Sequence, residues 1–320
     1  MTADATIELW GRLVRPFDPT GAVEVFTGLH PSAARQLVGA QLATSRQADQ
    51  LLDRMHEIVR SLAVATTSSP SRAEGEIRGP VLWSETAAAR ASSPGASNVF
   101  ICASPVKAYD TDENQVLVFA LATIRDAARA ADPTGHSHGH DEVIRRARYN
   151  GTRAIRALEH RTLASMRPRR PTARAVQKAR AGLRARNYRS AVAVVERGAD
   201  PVDADVIVKR CDEHKRRQHG LFLALADRLG EQKVRVDGAS LRAGPLRYVP
   251  EHRAEPGTPH GILLGNLLLD VPDREERNEP LRAEQKLFER SFGRPVLIAS
   301  GARDVERAVR LYQLGLSAAN

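Results

Sequence analysis

The chain has 320 residues, of which 42% are hydrophobic and 27% charged, and its net charge is +10 at pH 7. This composition is typical of a globular protein with apolar cores, and it excludes a collagen-like or fully disordered chain. The sequence MTADATIELW lacks the basic start and apolar run of a signal peptide, and no apolar run approaches the ~18 residues of a membrane helix. We therefore expect a cytoplasmic protein that has no membrane partner.

The order of predicted elements indicates an α/β (α+β) protein with three consecutive parts. Residues 1–130 read as an N-terminal α/β domain, 141–229 as an arginine-rich helical segment, and 230–320 as a second α/β region. Cys102 and Cys211 lie far apart and show no metal-ligand spacing, so we expect both to be reduced thiols.

The first 75 residues are predicted to mix short elements with one long helix. Residues 7–14 favour a strand or short helix, and 23–27 favour a second short strand. Apolar residues at helical spacing predict one helix over 31–65. The Ser- and Pro-rich stretch 66–75 has the composition of a loop.

Residues 75–128 predict two strand-to-helix units in succession. A short strand ends at Trp83 and passes into a helix, and a second strand over 99–103 leads to another helix. The second helix has apolar residues at helical spacing, which predict one packed face. These residues are Leu117, Ala120, Leu121, Ile124 and Ala128.

The start of that second helix can be placed from its capping signals. Asp110 or Thr111 can cap the first turn, and Glu113 follows Asp110 at the spacing of a capping box. The acids of the run DTDE also favour the positive end of a helix dipole. The helix is therefore expected to begin near Asp112.

A histidine-rich stretch follows at 131–140. His136, His138 and His140, together with Asp141, have residue types that can bind a metal ion. The alternative is a Gly/His/Ser loop between helices, and we favour it because no apolar strand precedes the run. We predict no metal site here.

Four helices are predicted in the arginine-rich segment, at 141–166, 171–186, 188–197 and 202–229. The sequence RPRRP breaks the first from the second, and proline is well tolerated at the first position of a helix. The segment is therefore expected to be helical with one proline-rich interruption.

Positive charge is concentrated in this segment. Residues 145–189 contain fifteen Arg or Lys and one acid, Glu159, so they carry +14 while the rest of the chain sums to −4. A solvated structural face usually carries both signs, so this bias predicts binding to a phosphate backbone without sequence specificity. Tyr149 and Tyr188 could stack on bases. The candidate nucleic-acid-binding residues are Arg145, Arg146, Arg148, Arg153, Arg156, Arg167, Arg169, Arg170, Arg174, Lys178, Arg184, Arg186 and Arg189.

The C-terminal region is predicted to return to strands. Residues 233–250 read as a hairpin, 261–273 as one buried strand ending in Asp270, and 293–300 as another buried strand. A final helix is predicted over 305–316.

Two motifs in the first part resemble the McrC-like proteins, which are nuclease subunits that work with an AAA+ GTPase in the restriction of modified DNA. The motifs are RG-x-V/I-x-W-x-x-T and D-T-x-E-N-x-x-L. The matching residues are Arg78, Gly79, Trp83, Thr86, Asp110, Thr111, Glu113, Asn114 and Leu117. In that family they are structural, and the resemblance implies a C-terminal core of the PD-(D/E)XK nuclease type.

The resemblance also implies metal-binding carboxylates and a lysine on the second core strand. Residues 294–301, RPVLIASG, contain neither, and only Asp270 and Gln313 match what such a core contributes. Nuclease chemistry of this kind needs carboxylates to hold Mg²⁺. We therefore expect Asp270 and Gln313 to be vestigial catalytic positions and the protein to need no cofactor.

The leading functional hypothesis is a DNA-binding, catalytically inactive McrC-like subunit of a restriction or anti-phage defence system. Its expected partners are DNA and an AAA+ NTPase. Two alternatives remain open: an active Mg²⁺-dependent DNA endonuclease that uses Asp270, and a protein-interaction adaptor whose arginines dock on an acidic partner without binding nucleic acid.

Overall fold

The structure is a computed structural model of an α/β chain with mixed sheets. It describes residues 3–93, 95, 97–133, 142–238, 240–251, 261–271, 289–290, 295–299 and 302–319, except for the side chains of 3, 4, 270, 298, 302 and 316–319. Two compact units are present, and each is built from several stretches of chain. The first unit comprises 1–45, 126–148 and 197–320, and the second comprises 46–125 and 149–196. They do not coincide with the three consecutive parts expected from the sequence.

The helices, in chain order, are α1 Ala3–Gly11, α2 Pro19–Thr27, α3 Pro31–Ala43, α4 Arg46–Asp53, α5 Met55–Arg60, α6 Trp83–Ala91, α7 Asp112–Ala131, α8 Glu142–Leu158, α9 Ala173–Ala181, α10 Ala185–Ala199, α11 Ala204–Arg210, α12 Glu213–Arg228 and α13 Ala302–Ala319. The strands are β1 Ala65–Glu74, β2 Val99–Ala108, β3 Arg235–Asp237, β4 Ser240–Ala243, β5 Leu246–Val249, β6 Gly261–Leu264, β7 Leu267–Asp270 and β8 Val296–Ile298.

Helix α2 occupies the stretch for which a strand was predicted, so the prediction at 23–27 is wrong. The Asp18 carboxylate accepts hydrogen bonds from the backbone N–H groups of Thr20 (3.1 Å) and Gly21 (3.0 Å), and Pro19 takes the first helical position. Gly28 ends the helix in the left-handed conformation at φ 69°. Both caps are local signals, and they outweigh the strand preference of the β-branched residues.

The stretch 31–65 contains three helices instead of the single helix that was predicted. Helix α3 ends at Ala43, with the N–H of the capping residue Thr44 bonded to the Ala40 carbonyl, and α4 ends at Asp53. The last residue of the predicted helix, Ala65, is already the first residue of β1. The helical spacing of apolar residues continues across these short breaks, so the spacing alone could not reveal where one helix ends and the next begins.

The first unit contains a six-stranded sheet in the order β3-β4-β5-β6-β7-β8. Its first five strands form an antiparallel meander, and β8 lies parallel to β7. The described residues of 233–250, predicted as one hairpin, form three strands, and the strand predicted over 293–300 is present at Val296–Ile298. The stretch 261–273 is a hairpin instead of one strand, because Gly265 and Asn266 form a turn between β6 and β7. The sheet and helices share a core that includes Trp10, Phe26 and Tyr248.

The second unit has a long two-stranded ribbon. β1 and β2 pair antiparallel from Ala65 opposite Ala108 to Glu74 opposite Val99. The loop predicted at 66–75 is therefore wrong, because its Ser- and Thr-rich backbone is hydrogen-bonded to β2. The predicted strand before Trp83 is also wrong: Val81 forms an isolated bridge with Cys102, and Trp83 opens helix α6.

Helix α7 begins at Asp112, as predicted, and its five predicted apolar residues are all buried. Thr111 caps it, since its hydroxyl accepts from the Asn114 N–H at 3.3 Å. The capping box is not formed by Glu113, whose carboxylate lies 3.2 Å from the Lys178 ammonium instead. A long-range ion pair therefore takes the place of the local hydrogen bond to the backbone.

The arginine-rich segment is helical, as predicted, but its described residues, 142–229, form five helices instead of four, and the helix predicted at 188–197 extends over Ala185–Ala199. Helix α8 ends at Leu158 instead of residue 166, and α9 starts after Thr172, whose hydroxyl accepts from the Ala175 N–H at 3.1 Å. The predicted helix over 202–229 is interrupted, because Asp212 caps a new helix through the Lys215 N–H at 2.7 Å.

Candidate nucleic-acid interface

The motif residues that carry the family resemblance lie in structural contacts of the second unit. The Thr86 side chain is buried, and its hydroxyl accepts from the Ile101 N–H at 2.9 Å, which ties α6 to β2. Asp110 accepts a hydrogen bond from the Gln115 side chain at 2.6 Å. Trp83 is 66% exposed, and Arg78, Gly79 and Asp110 are exposed as well.

Asn114 belongs to a buried network at the base of the β1–β2 ribbon. Its amide nitrogen donates to the carbonyls of Ala63 (2.9 Å) and Tyr109 (2.7 Å), and its oxygen accepts from the Tyr188 hydroxyl. The same hydroxyl accepts from the Ala63 N–H at 2.8 Å. Burial raises the pKa of Tyr188 to about 12, so it remains a hydroxyl donor. Tyr188 is fully buried and cannot stack on a base, whereas Tyr149 is 63% exposed.

Several of the predicted DNA-binding residues are engaged inside the second unit. Arg153 donates to Asp53 at 2.7 Å, and Lys178 pairs with Glu113 and, at 3.6 Å, with Asp112. Arg184 donates to the Leu62 carbonyl. These side chains have protein partners, so they are weaker candidates for phosphate contacts than the charge count suggested.

Three other predicted residues belong to the first unit. Arg148 binds the buried Asp132 carboxylate, with a distance of 3.1 Å from Nε, and Arg146 also has an interaction within the protein. Arg145 is exposed. The thirteen predicted residues are therefore not all part of one compact unit.

Ten arginines of the second unit are exposed between residues 149 and 196, and two of them, Arg180 and Arg184, are bonded to the Glu196 carboxylate and the Leu62 carbonyl. Within the described part of the chain, none of the other eight has a carboxylate at ion-pair distance. We refer to them as the eight exposed arginines: Arg156, Arg161, Arg167, Arg169, Arg170, Arg174, Arg186 and Arg189. The sequence analysis selected all of them except Arg161, which belongs to the same charged run.

These arginines lie at helix ends and in the connection between helices. Arg156 is in the last turn of α8, Arg174 in the first turn of α9, and Arg186 in the first turn of α10. The RPRRP connection at 167–171 has no helical or strand structure. A guanidinium presents five donors in a planar fork and remains charged at any working pH, which suits it to phosphate oxygens. The region therefore offers uncompensated positive charge to solvent.

Asp270 and Gln313, the two residues predicted as vestigial nuclease positions, lie in the first unit. Asp270 ends β7, and its neighbour in register on β8 is Ile298. Gln313 is exposed on α13. The Asp270 side chain lies outside the described part of the structure, as do His136, His138, His140 and Asp141. Among the side chains that are described, no group of three His, Cys, Asp or Glu residues could hold a metal ion.

The strongest pKa shifts belong to groups in the core of the first unit. Burial lowers the pKa of His219 to about 3 and raises that of the Cys211 thiol to about 12. The His219 Nδ1 atom is 3.1 Å from the Thr6 hydroxyl, and its Nε2 atom has no hydrogen-bond partner. Cys102 and Cys211 are both free, as predicted. At neutral pH, His219 and Cys211 are therefore uncharged and closed to solvent.

Searches of known proteins found no family model and no curated protein that matches the chain. No helix in the described ranges is long and apolar enough to cross a membrane.

Proposed function

We propose that this protein binds duplex DNA through the eight exposed arginines, as a catalytically inactive, McrC-like subunit of a DNA restriction or anti-phage system. The observation that carries the proposal is the absence of carboxylate partners for these arginines among the described residues. By contrast, other arginines of the chain do have such partners, including Arg12 with Asp227 at 2.6 Å.

The physics of DNA binding explains why such arginines favour this ligand. Each phosphate neutralised by a guanidinium releases condensed counterions, which makes binding favourable and dependent on salt. Phosphate contacts carry no base information, so the affinity is expected to be independent of sequence. The Debye length of about 8 Å at physiological ionic strength means that only charges close to the backbone contribute strongly.

The assignment as a McrC-like subunit is supported by the two sequence motifs. Thr86 and Asn114 occupy buried positions where their polar atoms are bonded to backbone groups, which is the structural role that the McrC resemblance gives them. The same resemblance supplies the AAA+ NTPase as the proposed partner, and the N-terminal sequence pattern supports the cytoplasm as the proposed location.

The lack of nuclease activity is proposed from the strand next to Asp270. The residues of β8 are Val296, Leu297 and Ile298, so this strand brings neither a carboxylate nor a lysine to the end of β7. An active metal-dependent nuclease needs such groups to hold Mg²⁺ and activate water. Cleavage of DNA in Mg²⁺ by the wild-type protein, lost in Asp270→Asn, would contradict this part of the proposal.

The test of DNA binding removes three of the eight exposed arginines at once. A combined Arg167→Ala, Arg169→Ala and Arg170→Ala variant alters the connection between α8 and α9, which is exposed and outside any helix. The slope of log K against log salt concentration should become less steep by about 2.7, at about 0.9 for each lost phosphate contact. Fluorescence anisotropy with a labelled duplex measures this slope.

A matched control removes the same charge elsewhere. Arg303, Arg307 and Arg310 are exposed on α13, and replacing all three by alanine should leave the salt slope unchanged. Equal losses in both variants would show that net charge, and not this region, drives binding. If the wild-type protein itself has no salt-dependent affinity, the proposed function is wrong and an acidic protein partner is the better account.

A further inference from the structure

Leu183 has an unusual position for a leucine, because it is fully exposed in the turn between α9 and α10. A leucine side chain in water forgoes the free energy that burial would give it. Other large apolar residues of the second unit are only partly exposed, such as Ile155 at 36% and Trp83 at 66%.

The turn that carries Leu183 is held in place on both sides. The Gly182 N–H bonds to the Lys178 carbonyl at 2.8 Å, and the Ala185 N–H bonds to the Gly182 carbonyl at 2.9 Å. A Cβ atom at Gly182 would lie 2.5 Å from the Lys178 carbonyl oxygen, so the turn needs glycine there. The local backbone therefore presents Leu183 in a defined direction.

Contacts with the segment before β1 hold the start of α10 as well. The Asn187 amide donates to the Ser61 hydroxyl at 2.8 Å, and Arg54 donates to the Arg186 carbonyl at 3.1 Å. Arg184, directly after Leu183, donates to the Leu62 carbonyl. An exposed leucine on such a supported turn would lose little conformational freedom when it enters a partner.

The charge around Leu183 indicates the kind of partner. Residues 173–189 contain six Arg or Lys and no acid, and Leu183 lies near the middle of this run. Lys178, Arg180 and Arg184 have partners within the protein, whereas Arg174, Arg186 and Arg189 belong to the eight exposed arginines. An apolar side chain flanked in the sequence by such arginines is the combination with which proteins hold a DNA backbone while a wedge enters between base pairs.

We propose that Leu183 is such a wedge, which enters the minor groove of duplex DNA, opens one base step and kinks the helix. This inference rests on the proposed function, since the arginines must first bind the phosphates. A kink formed in this way exchanges base stacking for apolar contact with Leu183. The protein should therefore prefer DNA in which stacking is already weakened.

The experiment uses the full-length protein and duplexes labelled at both ends for energy transfer, either fully paired or with one central mismatch beside a 2-aminopurine. Wild-type protein should bend the duplex, raise the 2-aminopurine fluorescence, and bind the mismatched duplex about tenfold more tightly than the paired one. Leu183→Ala should lose the bend and this preference, while its salt slope stays unchanged because no phosphate contact is removed.

Two control variants make the result specific. Leu183→Met keeps an apolar side chain of similar volume and should retain the bend. Leu314→Ala removes an exposed leucine from α13 in the first unit and should behave as wild type.

Three outcomes would overturn the wedge. If Leu183→Ala bends and binds DNA as the wild type does, the wedge is wrong while DNA binding by the arginines stands. If the substitution affects only binding to vesicles of anionic phospholipid, Leu183 is a membrane contact. If the wild-type protein has no affinity for either duplex, both the proposed function and the wedge fail together.

Discussion

Replacing Tyr188 with phenylalanine tests the buried network that supports the ribbon and the start of α7. The Tyr188 hydroxyl makes two hydrogen bonds, one from the Ala63 N–H at 2.8 Å and one to the Asn114 side-chain oxygen. Ala63 is 7% exposed and Asn114 is fully buried, so water cannot replace the lost hydroxyl freely. The substitution leaves one donor and one acceptor unsatisfied.

The expected cost follows from those two groups. A buried polar group that loses its partner destabilises a protein by about 1 to 3 kcal/mol, so the pair should cost about 3 kcal/mol in total. This is a large fraction of the 5 to 15 kcal/mol that typically separates folded from unfolded states, about three fifths at the lower end of that range. Because Ala63 lies two residues before β1, the loss should also loosen the base of the ribbon.

Urea denaturation measures the free energy of unfolding, and hydrogen exchange at the Ala63 amide reports the local effect. The matched control is Tyr149→Phe, since Tyr149 is exposed and the change should stay within about 0.5 kcal/mol. If Tyr188→Phe costs no more than this control, and the Ala63 amide exchanges at the wild-type rate, the network does not stabilise the second unit and the reasoning is refuted.

Two further predictions concern the first unit. Since burial lowers the folded-state pKa of His219 to about 3 from 6.5, its contribution to stability is complete above pH 6.5 and is lost as the pH falls towards 3. Between about pH 7 and about pH 5, the free energy of unfolding of the wild-type protein should fall by about 2 kcal/mol more than that of His219→Leu, as measured by urea denaturation at each pH. Parallel pH profiles of the two proteins would contradict this. Asp18→Ala removes the α2 cap and should cost about 1 kcal/mol, whereas Asp18→Asn should cost much less; equal effects in the same assay would count against the cap.

Local capping signals proved the most reliable guide to this fold. The start of α7 at Asp112 was predicted from residues within one turn of the boundary, whereas α9 starts at Ala173, two residues after the predicted position 171. The error at α2 came from giving the β-branched residues more weight than Asp18, Pro19 and Gly28, which are equally local. Better use of the same signals would have placed this helix.

Other features depend on partners that are distant in the sequence. β1 reads as a loop because its residues are Ser, Thr and Pro, and it is a strand only because β2 pairs with it along its full length. The pairing of Lys178 with Glu113 is likewise invisible to a local capping rule. A pattern within ten residues cannot contain such information.

The same limit applies to the candidate interface. The sequence shows how many charges lie between 145 and 189, but not which of them are already paired. Arg153, Lys178 and Arg184 have partners within the protein, whereas Arg161 was overlooked and is exposed. Leu183 carried no signal at all, since a single leucine in a basic helical segment is normally expected to be buried.

The most direct test of the account is the salt dependence of duplex DNA affinity for the wild-type protein. If all eight exposed arginines contact phosphates, the slope of log K against log salt concentration approaches about −7, and six contacts give about −5. A slope in this range, equal for duplexes of unrelated sequence, is the predicted result. A slope near zero, or measurable binding only to one sequence, would contradict the claim that the eight exposed arginines bind the DNA backbone.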